Sequence, residues 1–237
     1  MEDSVVNIAY ALEAFRYLLD YVPVTLALAV GSMLLGSLLG LAVMFVRWRN
    51  VPVLGKLGTW YVVIGRVLPT LIILYVVFFA FPVFLLYMND GQVSERFNAI
   101  PPFLFALAGL TLHSGAYLAE AFRTAVQSVD KGQMEAALAC GMTWSQGFRR
   151  IILPQAAVLA VPLMGNQFLS LIKNTSIAFM ITVLEMFGAA NYLSSISERY
   201  IEIYLALAAL YWLVSMFFET LFRKLEIRLA VYKGSSE

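Results

Sequence analysis

Four stretches of this chain run for roughly twenty residues or more without a single charged side chain, and no other feature restricts its fold as strongly. Nothing charged lies between Asp20 and Arg47, Arg66 and Asp90, Arg96 and Glu120, or Arg150 and Lys173. A shorter stretch between Glu202 and Glu219 gains length from Leu221 and Phe222. About 20 apolar residues cross a bilayer core as a helix. A helix is needed because hydrocarbon offers backbone amides no partner outside their own segment. With 61% hydrophobic and 13% charged residues, the chain is far from the quarter or so of charged residues usual in soluble domains. The expectation is an all-α membrane protein with five spans, at about 22–46, 67–88, 98–122, 154–172 and 201–222. The run from Asn174 to Leu184 is too short to span and reads as a re-entrant or interfacial piece sheltered by protein.

The ends and connections set a sidedness. Residues 1–20 form an amphipathic lead-in, with Tyr10, Phe15, Tyr17 and Leu18 beside Glu13, Arg16 and Asp20, suited to the outer interface. The start, MEDSVVNIAY, is acidic where a cleavable signal peptide needs positive charge. Arg47, Arg49 and Lys56 follow the first span. Arg123, Lys131, Arg149 and Arg150 follow the third, and Arg223, Lys224, Arg228 and Lys233 the fifth. Basic residues mark the cytoplasmic side, so the N-terminus is expected outside, with loop 126–153 and tail 224–237 in the cytoplasm. The polar loop from Asn89 to Pro102 then faces outward. A net charge of +1 implies no nucleic-acid partner, and the lone Cys140 permits no internal disulfide.

The longest piece unsuited to hydrocarbon is KGQMEAALACGMTWSQGFRRIILPQA, Lys131 to Ala156. Gln133 to Cys140 is rich in good helix formers. Gly141 then suits the left-handed conformation just past a helix end. Thr143-Trp144-Ser145-Gln146 has capping-box spacing. Pro154 is placed to open a further helix, where its missing amide does no harm. Glu135-Ala136-Ala137, Gly141, Ile151, Leu153 and Pro154 stand at the spacings of the EAA loop, and the stretch resembles that signature of the permease subunits of bacterial ABC importers. The run YLAEAFRTAVQSVDKGQMEAALACGM is similar to polar amino-acid permeases nearly residue for residue.

Several consequences are implied by this resemblance. The fold would be the type I ABC importer transmembrane fold, five transmembrane helices with a cytoplasmic EAA-type coupling hairpin. Gly132, Glu135, Ala136, Ala137, Gly141, Ile151, Leu153 and Pro154 would form the coupling element that docks on an ATPase. Partners would be ABC ATPase subunits, a second permease chain, identical or paralogous, and an extracytoplasmic binding protein. ATP and magnesium would belong to the ATPase, because the Gly-rich phosphate loop is absent from this chain. The site would be a bacterial inner membrane.

Other residues are candidates for the pathway of an amino acid. Arg66-x-x-Pro69 resembles an arginine-x-x-proline of polar amino-acid permeases, although Val67-Leu68 depart from the pairs usual between them. Arg66 fits a coupling role and an interfacial snorkel equally. Pro69, expected to loosen the start of its helix, and Thr70 join Asn166, Gln167, Lys173, Asn174, Thr175, Ser176 and Glu185 as candidates. Lys173 suits a carboxylate and Glu185 an ammonium, and both fit the outer headgroups as well. The stretch PLMGNQFLSLIKNTSIAFMITVLEMFGAANYL resembles cystine and polar amino-acid permeases. Members commonly carry Asp where this chain has Asn174. Ser32, Gly36 and Gly40 form a small-residue stripe for close helix approach, with no partner helix identifiable. Tyr117, Glu120 and Arg123 share a face, so the last two can pair. His113 has no His or Cys partner, so it reads as a hydrogen-bonded packing residue rather than a metal ligand. An ion-driven secondary amino-acid carrier is the alternative. It would need paired acids deep in the spans or an inverted repeat, and neither is found. No catalytic set is found either.

Overall fold

The computed structural model describes residues 7–88 and 100–230. The acidic start, most of the Asn89–Pro102 loop and the end of the basic tail lie outside the described residues. Among those described, every regular element is helical. In chain order they are α1 (Ile8–Leu19), α2 (Val22–Trp48), α3 (Leu54–Val67), α4 (Thr70–Met88), α5 (Pro102–Gln127), α6 (Lys131–Ala139) and α7 (Trp144–Gly147). A π-helical turn at Phe148–Ile152 leads into α8 (Leu153–Asn174) and a 3-10 turn at Thr175–Ile181. Then come α9 (Met186–Ser197) and α10 (Tyr200–Ala230).

Helix α5 is the axis of the bundle, and α2, α3, α4 and α8 all pack on it. The small-residue stripe of α2 finds its partner here. A Cβ added at Gly36 would lie 2.1 Å from the Ser114 Oγ, and one at Gly40 would lie 2.9 Å from the Ala119 amide nitrogen. Ser114 donates across the seam to the Ser32 carbonyl at 2.9 Å. In lipid, such close backbone approach replaces the hydrophobic drive that holds helices together in water. Around this seam Leu28, Met33, Leu74, Leu110, Leu118, Phe168, Leu171 and Ile172 form the principal core. A second core lies where α1 packs on α9 and α10 through Ala14 and Leu18 against Met186, Ile203 and Leu207. Helix α1 thus lies against the bundle through Ala14 and Leu18, while Ile8, Leu12 and Leu19 stay exposed.

The second charge-poor stretch begins at a break, and α4 holds nearly all of it. Leu68 is extended (φ −72°, ψ 138°), as a residue before proline prefers, and α3 and α4 meet there at a bend of 116°. Pro69 therefore ends one helix and starts another rather than loosening a single one. Pro154 stands in the first turn of α8, as expected. What the sequence did not announce is that the preceding turn joins α8 to the elbow as one helical run, Trp144–Ile181. The wide π turn just before Pro154 absorbs the missing amide, with the Leu153 amide donating to the Phe148 carbonyl five residues back. The run after Lys173 is sheltered on one side: Thr175, Ala178, Ile181 and Val183 are buried, while Met180, Thr182 and Leu184 are exposed.

Candidate functional site

Two groups of candidate residues lie in different parts of the molecule. The first is the elbow formed by α6, α7 and the π turn. Asp130 caps α6, its carboxylate accepting from the Gly132 amide at 2.6 Å. The helix ends in a Schellman arrangement, with the Gly141 amide donating to the Leu138 carbonyl and the Met142 amide to the Ala137 carbonyl. Gly141 carries the left-handed conformation, φ +80°. Thr143 and Gln146 then close the capping box: the Gln146 amide donates to the Thr143 hydroxyl, and the Thr143 amide donates to the Gln146 side chain at 2.9 Å.

The two arms of the elbow cross at Gly147, where an added Cβ would lie 3.0 Å from Met134 Sδ and 3.2 Å from Ala137 Cβ. The coupling candidates divide accordingly. Ala137 is buried in the crossing, Ile151 is half-buried against Val129, Ile152 and Ala156, and Gly132, Glu135, Ala136, Gly141, Leu153 and Pro154 are exposed. Glu135, Ala136 and Leu138 thus form an outward face held rigidly from behind. A half-polar, half-apolar face of this kind suits contact with another protein.

The elbow is tied to the spans by residues outside the candidate set. Trp48, the last residue of α2, packs its ring 4.6 Å from Phe148 and 5.0 Å from Trp144. Trp144 and Phe148 stack nearly parallel, 6° apart. One residue earlier, Arg47 pairs with Glu120 at 3.2 Å, and Glu120 also pairs with Arg123 as its spacing predicts. The signal for Trp48 was an aromatic beside two arginines at a span end, which is also the pattern of a simple interfacial anchor.

The second group follows α8. Asn166, Ser170 and Lys173 stand at i, i+4 and i+7, on one helix face, with Asn166 and Lys173 exposed. Asn174 and Ser176 are half-buried, and Thr175 is fully buried, donating to the Ile172 carbonyl at 2.8 Å. Gln167 keeps a buried Nε2 without a hydrogen-bond partner among the described residues. Pro69 is exposed at the α3–α4 bend, and the Thr70 hydroxyl lies 3.4 Å from the ring nitrogens of His113. His113 also packs on the Tyr117 ring, which agrees with a packing role.

Glu185 requires a correction. Its carboxylate is fully buried, accepting from the Gly188 amide at 2.8 Å, from the Tyr211 hydroxyl at 3.1 Å and from the Thr25 hydroxyl at 3.4 Å. It caps α9 and is enclosed by the chain, so it is not open to a passing ammonium. An acid preceding a helix start is the cap pattern that could have revealed this. No group of three or more His, Cys, Asp or Glu residues capable of holding a metal occurs among the described residues.

Comparison with known proteins places this geometry in a family. Residues 32–231 match the family described as "Binding-protein-dependent transport system inner membrane component". The chain is 40% identical over 209 residues to the L-cystine transport system permease protein TcyL of Bacillus subtilis (strain 168), covering 88% of this chain and 85% of that protein. It is 37% identical over 212 residues to the probable amino-acid permease protein YxeN of the same organism, covering 90% and 91%. Among solved structures it resembles an amino acid ABC transporter crystallised with histidines, with a TM-score of 0.83, 28% identity and coverage of 95% and 100%. The MetNI methionine ABC transporter in its inward-facing form shares the fold at a TM-score of 0.71 and 19% identity.

Proposed function

The chain belongs to the binding-protein-dependent transport system inner membrane components, and we propose that it is the permease of an ATP-driven importer for a polar amino acid. The single observation that carries this reading is the elbow. A mechanical coupler must be stiff within itself, open on one face and bonded to the spans it moves. The elbow has a left-handed turn and a capping box for stiffness, exposed Glu135, Ala136 and Leu138 for docking, and Trp48 and Phe148 for attachment to α2.

In this reading two permease chains, identical or paralogous, enclose the pathway, with ATPases against the elbows and a binding protein on the far side. ATP and magnesium are held by the ATPase. The elbow side is cytoplasmic, with the N-terminus outside, as the clusters Arg47–Arg49 and Arg149–Arg150 favour. ATPase closure drives the elbows together and turns the cavity outward, and hydrolysis returns it inward. The permease makes and breaks no covalent bond; it converts a two-state motion into alternating access. The face of α8 that carries exposed Asn166 and Lys173, with half-buried Ser170 between them, lines the route, and Lys173 draws the carboxylate of the cargo. The likeness to TcyL supports cystine or a related compound as cargo. The test is reconstitution of this chain with its ATPase and binding protein in vesicles. Uptake should require ATP and persist when ion gradients are collapsed. Uptake driven by a gradient without ATP would overturn the reading in favour of a secondary carrier.

A further inference from the structure

Residues 21–89 carry no acidic side chain, and Arg47, Arg49 and Lys56 cluster around the corner between α2 and α3, with Arg66 at the far end of α3. That corner holds a cavity of about 370 Å³ lined by Arg47, Asn50, Lys56, Thr59, Trp60 and the turn between the helices. Arg47 gives one guanidinium nitrogen to Glu120. Arg49 lies over the Phe45 ring and Arg66 over the Tyr117 ring. Lys56 is exposed and forms no ion pair among the described residues. The cavity therefore has positive charge left over.

Leading away from the cavity, Lys56, Trp60, Val63 and Val67 stand at i, i+4, i+7 and i+11, one stripe of α3. The last three are 65%, 49% and 75% exposed. The stripe has a defined direction in the membrane. Gly58 of α3 lies against Arg47 and Val43 near the elbow end of α2, whereas Gly65 lies against Ala116 midway along α5. So α3 climbs from the basic corner at the membrane surface into the bundle, and its uncovered stripe runs into hydrocarbon. A cation, then an indole, then aliphatic side chains is the order in which a phospholipid presents phosphate, glycerol backbone and acyl chain.

We propose that an anionic glycerophospholipid occupies this corner. Its phosphate sits in the cavity between Arg47 and Lys56, and one acyl chain lies along Trp60, Val63 and Val67. Charge selects this occupant. A zwitterionic lipid brings its own ammonium to Lys56, a small soluble anion leaves the stripe bare, and a polypeptide would need an acidic end aligned with an apolar one. The assignment depends on the chain spanning a membrane and not on what it transports.

Native mass spectrometry of the full chain, purified from membranes and exchanged into phosphatidylglycerol or phosphatidylcholine, tests it. One phosphatidylglycerol per chain should be retained at least tenfold better than phosphatidylcholine. Lys56→Gln should weaken retention about fivefold, the worth of one surface cation, and Val67→Ser should weaken it without changing the headgroup preference. Lys224→Gln, on the exposed end of α10, serves as the basic-residue control and should have no effect. A photo-crosslinking residue at position 63 should label lipid. Equal retention of both lipids, equal loss in the Lys56 and Lys224 variants, full competition by millimolar glycerol phosphate, or cross-links from position 63 to polypeptide would each overturn the proposal.

Discussion

The Tyr211 hydroxyl donates to the Glu185 carboxylate across 3.1 Å, and this bond joins α10 to the start of α9 inside the bundle. Thr25 of α2 completes the junction, donating to the same carboxylate and accepting from the Met186 amide at 3.2 Å. Two consecutive helices and a third far from them in sequence are thus held by one carboxylate that also caps a helix.

Replacing Glu185 with Ala removes the cap and strands buried donors on Thr25, Tyr211 and the Gly188 amide. A cap is worth about 1 kcal/mol and each stranded donor costs about 1–3 kcal/mol. Glu185→Ala is therefore expected to lower the unfolding midpoint in detergent by several degrees, and Glu185→Gln by clearly less, because the amide oxygen still accepts. Equal losses in the two variants would contradict the capping role.

At Gly141 the constraint is the backbone alone, since an added Cβ would meet nothing within 4 Å. Gly141→Val must leave the left-handed region or accept strain of about 1–3 kcal/mol. On the coupling reading, the variant inserts normally and its partner ATPase still hydrolyses ATP, while uptake falls at least tenfold. Wild-type uptake per ATP in vesicles would remove the turn from the mechanism.

Gly36 presents the opposite situation, an ordinary backbone with no room. An Ala Cβ would fall 2.1 Å from Ser114 Oγ, so α2 and α5 must separate. Overpacking of this kind costs about 1–3 kcal/mol. Gly36→Ala is expected to lower thermal stability, and Gly36→Ala with Ser114→Ala should recover part of it. A double variant no better than the single one would show that the hydroxyl is not the obstacle.

Arg47 and Glu120 link the end of α2 to α5 with side chains about one-fifth exposed, 18% and 21%. A double-mutant cycle with Arg47→Met and Glu120→Gln should give a coupling near 1 kcal/mol, decreasing as salt is added. Coupling below a few tenths of a kcal/mol would mean that the Trp48 cluster alone fastens the elbow.

Lys173 is exposed on the same face as Asn166. Lys173→Met is expected to leave assembly and ATP hydrolysis intact while raising the substrate concentration needed for half-maximal uptake severalfold. An unchanged value would take this face off the route.

What could be read from the chain alone was whatever depends on neighbours a few residues apart. Charge-free length marked the chain as an all-helical one with segments long enough to cross a bilayer, because the bilayer imposes a minimum on every crossing segment. Gly141, and Thr143 with Gln146, declared the elbow, because caps and turns are closed by residues two to four positions away. The spacing of Glu120 and Arg123 foretold their pairing for the same reason. Only the tertiary structure decided which helix receives the Gly36–Gly40 stripe, that Pro69 separates two helices at a sharp bend, that a π turn joins the elbow to α8 without a break, that Glu185 is a buried cap, and that Trp48 grips the elbow. These outcomes turn on which surfaces meet at distances of a few ångströms. A stripe, a proline or an acid has the same local signature whether its neighbour is lipid, water or another helix.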